Sequence, residues 1–327
     1  MRRLISVSLL VATFATACAH IHPIDVVVDQ DADVDDLIAI SLLMKSGTAR
    51  IHAIAICPAD SYLDPATRAT QLFVDQLGGE RITIAQGHFE GTNPFPDEWR
   101  RVAARVLNTR ALTGLQPTNR NPVVPMDAPH HLAAVLSKGE FVILETGPLT
   151  NIADALKLDP AIRKHVSRIY IMGGAVRVPG NVDQKGHDGS AEWNFYNQPA
   201  AAAEVIRSGI PVTLIPLDAT NTVPLTRRFV DRLALQKTVA SQLAAQSWEL
   251  ALPSDGSFQY YFWDTLTAAA LLDRSVVKLQ QMRVRVITEG PSQGRTVEDP
   301  DGSPIEVAVG ADQQRVEKMF LDILGRP

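Results

Sequence analysis

The sequence predicts an α/β protein with a doubly wound, mostly parallel central sheet flanked by helices. Three observations carry that prediction. Short Val- and Ile-rich runs recur along the chain and alternate with helix-like stretches. The first of these runs are apolar throughout, as strands covered on both faces must be. Polar segments rich in Asp, Gly and Asn follow directly on several run ends, the edge at which such sheets bind ligands.

Taken in order, the strands are expected at Ile24–Val28, Ile51–Ile56, Arg81–Ala85, Phe141–Leu144, Arg168–Met172 and Pro211–Ile215. Helices are expected at Asp36–Lys45, Ala66–Leu77, Ala128–Leu136, Pro199–Arg207 and Arg227–Ala245, with Trp248 as core packing. Gly87–Arg100, Gly180–Glu192 and Pro253–Phe262 show neither period and are long enough to shape a site. No internal repeat or low-complexity linker interrupts the series, so residues 24–327 read as one domain. With 327 residues, 46% hydrophobic and 20% charged, such a domain can bury a large core. The formal charge of −5 and the lack of a Lys/Arg stripe exclude a nucleic-acid partner.

The first residues stand outside that domain. "MRRLISVSLLVATFATACAH" carries Arg2 and Arg3, an apolar stretch from Leu4, then small residues. This is the anatomy of a secretory signal peptide over residues 1–17, with a short linker at 18–23. Export to the periplasm or the extracellular space follows. Two fates of the leader stay open: cleavage at Ala15-Thr16-Ala17, or lipidation of Cys18 and membrane tethering. Cys57 is the only other cysteine, so a lost or lipidated Cys18 leaves no internal disulfide.

The chain's densest signal is "IDVVVDQDADVDDLIAI", Ile24–Ile40, in which Asp29, Asp31, Asp33, Asp35 and Asp36 follow a strand. Carboxylates at a helix N-terminus gain only ~0.3–1 kcal/mol each from the macrodipole, too little to offset their mutual repulsion. A cation resolves the conflict. Hard oxygen donors without His or Cys select Ca²⁺ or Mg²⁺. An EF-hand loop beginning at Asp31 would need Gly at its sixth position and Glu at its twelfth, where Asp36 and Leu42 stand. A strand-DxDx(T/V) phosphatase motif is likewise spoiled by Asp33.

The spacing D-x-D-x-x-x-D-D resembles the signature of the inosine–uridine-type nucleoside hydrolases. Four further segments resemble that family in order: "ETGPLTNIADAL", "IYIMGGAV", "GNVDQKGHDGSAEWNFYNQPAAA" and "YYFWDTLTAA". The resemblance implies the nucleoside hydrolase fold with its Rossmann-like core, and calcium-assisted hydrolysis of the N-glycosidic bond of ribonucleosides. It implies Asp31, Asp36, Asp264 and the carbonyl of Thr146 as calcium ligands, with Asp31 also the general base. It implies ribose contacts from Asp35, Asn181, Glu192 and Asn194, and a sugar pocket lined by Met172. Homodimers or tetramers are common in the family.

Many members carry a histidine just before the late aspartate to assist departure of the base; here Trp263 precedes Asp264. In this the chain resembles the purine-preferring (inosine–adenosine–guanosine) branch, in which two indoles sandwich the base. Trp99 in "NPFPDEWR" is the expected second indole, and Asp60 in "CPADSY" the expected acidic base contact. The expectation is therefore a calcium-dependent purine nucleoside hydrolase. A broad, pyrimidine-tolerant hydrolase is the alternative within the class, and a non-catalytic nucleoside-binding protein the alternative outside it. Two departures bear on the choice: Ala32 where the family usually has Gly, and Asp33 where the purine branch often has Asn.

Overall fold

The computed structural model describes residues 23–89, 91–252 and 258–326. The expected leader, Cys18 and most of the 18–23 linker lie outside the described residues, as does the first half of the Pro253–Phe262 segment.

Nine strands form one sheet: β1 (Ile24–Gln30), β2 (Ala49–Ile56), β3 (Thr83–Gln86), β4 (Phe141–Glu145), β5 (Val166–Met172), β6 (Val212–Ile215), β7 (Val277–Val286), β8 (Thr296–Glu298) and β9 (Ser303–Ala311). Their spatial order is β3-β2-β1-β4-β5-β6-β9-β7-β8, parallel from β3 through β9, with β7 antiparallel to β9 and β8 to β7. All six strands expected from the apolar runs are present. Three further strands complete the sheet: β9, parallel to β6, and the antiparallel edge β7–β8.

The period of two explains why β1 is apolar throughout. Val26 and Val28 enter the core on one face and Val27 the core on the other, and all three are fully buried. Strand order reverses at β1, which pairs with β2 on one side and β4 on the other. A crevice opens there beyond the carboxyl ends of the strands, the switch-point position of doubly wound folds.

The helix following β1 spans Val34–Ser46, somewhat longer than expected, because Asp33 caps it and Asp36 returns the bond to Asp33 N at 2.9 Å. It is buried on nearly every face and packs against the helix Asp264–Leu272. The expected single helix Arg227–Ala245 is instead two, Arg227–Leu235 and Val239–Ala251. Thr238 starts the second by accepting from Ser241 N at 3.1 Å, a cap that an unbroken apolar period conceals. Trp248 is fully buried, packed against Phe229, Phe262 and Phe320 as its core reading requires.

Candidate active site

Five strand ends deliver side chains to the crevice. Asp31 follows β1, and Asp35 and Asp36 stand in the first turn of the next helix. Asp60 follows β2, Trp99 lies in the loop after β3, Thr146 follows β4, and Met172 ends β5. The crevice encloses about 610 Å³, and every site residue expected from the sequence lines it except Asp36, which is buried. That volume suits a small molecule.

At the floor, oxygens of Asp35, Asp36 and Asp264 lie within 4.8 Å of one another. Asp31 stands against Asp36, and Asp31 Oδ2 is buried with no partner among the described residues. Thr146 Oγ1 donates to Asp36 Oδ1 at 2.5 Å, and Thr146 N donates to the carbonyl of Asp29 at 2.9 Å. Gly147 lets this loop close down: a Cβ there would meet Asp31 Cβ at 3.1 Å. Asp29 itself accepts from Asn151 Nδ2 at 2.8 Å below the site.

Among the described residues no Lys, Arg or His forms an ion pair with Asp31, Asp35, Asp36 or Asp264. Burial, then the charge of their neighbours, pushes Asp31, Asp35 and Asp264 well above the usual carboxylate range. Burial raises Asp36 to about 6 and Asp29 to about 7. Buried carboxylates of one sign, one with an unpartnered oxygen, are a donor set for a hard cation. Ca–O distances of about 2.3–2.6 Å put opposing ligands up to about 5 Å apart, so the floor fits one such ion.

The sugar-side residues are held by backbone. Glu192 accepts from Asn194 N at 2.9 Å on one oxygen and from Gly174 N at 3.0 Å on the other, capping the short helix Trp193–Asn197. Gly174 sits at φ 79°, open to glycine without strain, and any Cβ there would strike Thr296 Oγ1 at 2.6 Å. Asn194 Nδ2 donates to the carbonyls of Thr146 at 3.0 Å and Met172 at 3.3 Å, tying the short helix to the ends of β4 and β5. Asn181 Oδ1 accepts from Trp193 N at 3.1 Å, and Asn181 lines the cavity.

Aromatic residues form two walls. Trp99 meets Phe95 and Trp193, with Phe95 and Trp193 stacked at 4.8 Å and 20°. Trp263 meets Phe258, Tyr260 and Tyr261. Both walls line the same cavity. Trp193, Phe95 and Tyr260 were not singled out in the sequence. Trp193 adjoins the expected Glu192, which was the available signal, whereas its stacking partner Phe95 lies far away along the chain. Two features flagged in the sequence acquire geometry. Ala32 is the one non-glycine with positive φ among the described residues, at 67°, and Asp33 is the helix cap.

Fold and site together define an α/β protein with one cavity that joins a buried acidic floor to two aromatic walls. The sequence profile of the family described as "Inosine-uridine preferring nucleoside hydrolase" matches residues 26–318, and the chain belongs to that family. It is a nucleoside hydrolase, an N-ribosyl hydrolase. The inosine-uridine preferring nucleoside hydrolase of Bacillus anthracis is 35% identical, covering 92% of this chain and 99% of its own, with a TM-score of 0.87. A probable uridine nucleosidase 1 of Oryza sativa subsp. japonica is 28% identical over 86% of each chain. The purine-preferring ribonucleoside hydrolase of Gardnerella vaginalis is 27% identical, with a TM-score of 0.77 over 92% of this chain and 98% of its own.

Proposed function

We propose that this nucleoside hydrolase is calcium-dependent and prefers purine ribonucleosides, releasing free base and ribose. The observation that carries the preference is the pair of aromatic walls, with Trp263 rather than His before Asp264. In this reading Asp31, Asp36, Asp264 and the Thr146 carbonyl hold the ion. Calcium, when bound, supplies Lewis-acid activation of the attacking water and a fixed charge for the ribose diol. Asp31 is the general base that takes the proton from that water.

Asp35, Asn181, Glu192 and Asn194 bind the ribose hydroxyls, and Met172 packs against the sugar. Gripping hydroxyls remote from the reacting carbon lets binding energy act at C1′ and disfavours deoxyribonucleosides. The carboxylate-rich floor stabilises the positive charge of an oxocarbenium-like transition state. Trp99 and Trp263 stack on the two faces of the base, and Asp60 meets its polar edge. Stacking favours a purine protonated on its ring nitrogen, so solvent can supply the leaving-group proton. The leader sequence at residues 1–17 supports catalysis outside the cytoplasm.

A pyrimidine-tolerant specificity is the second reading, favoured by similarity to a protein named as a uridine nucleosidase. Ribose release from inosine, adenosine, guanosine, uridine and 2′-deoxyinosine, each with and without EDTA, tests both. Faster turnover of uridine than of any purine nucleoside would overturn the purine preference. Undiminished turnover in EDTA, with no metal retained on the protein, would overturn the calcium dependence.

A further inference from the structure

We propose that Tyr260 is a positioning residue for the sugar site, and that Asp33 acts through it rather than on metal or substrate. This rests on the nucleoside hydrolase reading above. The observation is one buried hydroxyl between two carboxylates: Tyr260 Oη lies 2.7 Å from Asp35 Oδ1 and 2.7 Å from Asp33 Oδ2. A phenol has one proton to donate, so it is shared between the two acceptors and draws both to one point.

The other oxygen of Asp35 is held as well, accepting from Asp264 N at 3.1 Å. The single segment Tyr260–Asp264 thus pins both oxygens of Asp35 while leaving each a lone pair for a ligand. Asp33 is anchored separately, its Oδ1 accepting from Val34 N at 2.6 Å. Asp33 lines the cavity but is not one of the three carboxylates gathered at the floor, and each of its oxygens already accepts from the protein. The route runs from the cap of the Val34–Ser46 helix, through Asp33 and Tyr260, to Asp35.

Tyr260 serves the base wall with its ring. It meets Trp263 edge-on at 4.5 Å and 63°. One residue therefore fixes both the carboxylate that grips the sugar and the indole that faces the base. That arrangement gives the acidic residue at position 33 a task that neither calcium nor nucleoside contact requires.

The test compares Tyr260→Phe, Asp33→Ser and the double variant, all saturated with calcium. Serine keeps the helix cap and is too short to reach Tyr260. The readouts are kcat/KM on the ribonucleoside the wild type cleaves best, Ki of its 2′- and 3′-deoxy analogues, and calcium affinity by calorimetry. Tyr260→Phe should cost about tenfold to a hundredfold on the ribonucleoside, the scale of a hydrogen bond to a charged group. Its effect on Ki should be within about threefold for the deoxy analogue that lacks the hydroxyl held by Asp35. Asp33→Ser should cost less, add under about twofold when combined with Tyr260→Phe, and leave calcium affinity within about threefold.

Equal losses on the ribonucleoside and both deoxy analogues would overturn the positioning role. Additive losses, or a calcium affinity weakened more than about tenfold by Asp33→Ser, would overturn the route through Tyr260. If Tyr260→Phe does not fold, Asp33→Ser carries the analogue comparison with the same two outcomes. A wild type that cleaves no ribonucleoside in calcium would instead refute the underlying reading, and the proposal with it.

Discussion

At Ala32 the backbone turns through φ 67°, in the left-handed region that favours glycine. A left-handed alanine costs ~1–2 kcal/mol. The fully buried methyl returns ~0.8 kcal/mol, and alanine spares the unfolded chain a further ~0.4–1 kcal/mol of entropy. These terms nearly cancel. Ala32→Gly should therefore leave stability within about 1 kcal/mol and turnover within about threefold, measured by thermal melting and inosine hydrolysis. A gain of tenfold or more would mean that alanine distorts the turn and suppresses catalysis. Asp31 tests the chemistry itself. Asparagine there keeps the shape but removes a base and a negative charge, so turnover should fall by at least ~10²–10⁴-fold with the fold retained by circular dichroism. Near-normal activity of Asp31→Asn would eliminate Asp31 as the base.

The two aromatic walls come from different elements, the loop after β3 with the helix at Trp193, and the segment leading into the helix at Asp264. If Trp263 helps the base accept a proton, its loss matters only when the leaving group needs protonating. Stacking is worth roughly 1–3 kcal/mol per base, so Trp263→Ala should cost about tenfold to a hundredfold on inosine. With p-nitrophenyl riboside, whose phenolate departs unprotonated, the loss should be clearly smaller. Equal losses on both substrates would reduce Trp263 to shaping the pocket. At this scale the sequence is also most and least readable. Strands such as β1 are unmistakable because two buried faces demand an unbroken apolar run. The floor is readable because its aspartates are clustered along the chain. The break between Leu235 and Val239 is not, since a Thr238 cap without Gly or Pro leaves the helical period intact. The stacking of Phe95 on Trp193 and the meeting of Tyr260 with Asp33 are tertiary facts, joining residues that no local period relates.

Across the whole molecule the carboxylates fall into two sets with opposite pH signatures. Exposed acids held by partners sit low: hydrogen bonds from Ser190 and Ser292 bring Asp188 to about 2, and Arg177 and Arg285 lower Glu298 and Asp299. Their stability is present above about pH 4 and is lost only on further acidification. The buried set sits high, with Asp36 at about 6, Asp29 and Glu192 at about 7, and Asp31, Asp35 and Asp264 pushed well above the usual carboxylate range by burial and by the charge of neighbouring aspartates. A folded-state value above the unfolded one stabilises below the unfolded pKa and loses that contribution as pH rises through the folded pKa. Between pH 5 and 8 the exposed acids are already ionised, so the buried set dominates. His131, lowered by burial, opposes it as a single group. Chelated protein should therefore melt at a lower temperature at pH 8 than at pH 5, by about 5 °C or more for a chain of this size. Excess calcium binds the ionised form alone, so the gap in Tm between calcium and EDTA should widen steadily over the same range. A melting temperature in EDTA that is flat or rises from pH 5 to 8 would show that the buried aspartates are neutralised by something other than protons or a cation.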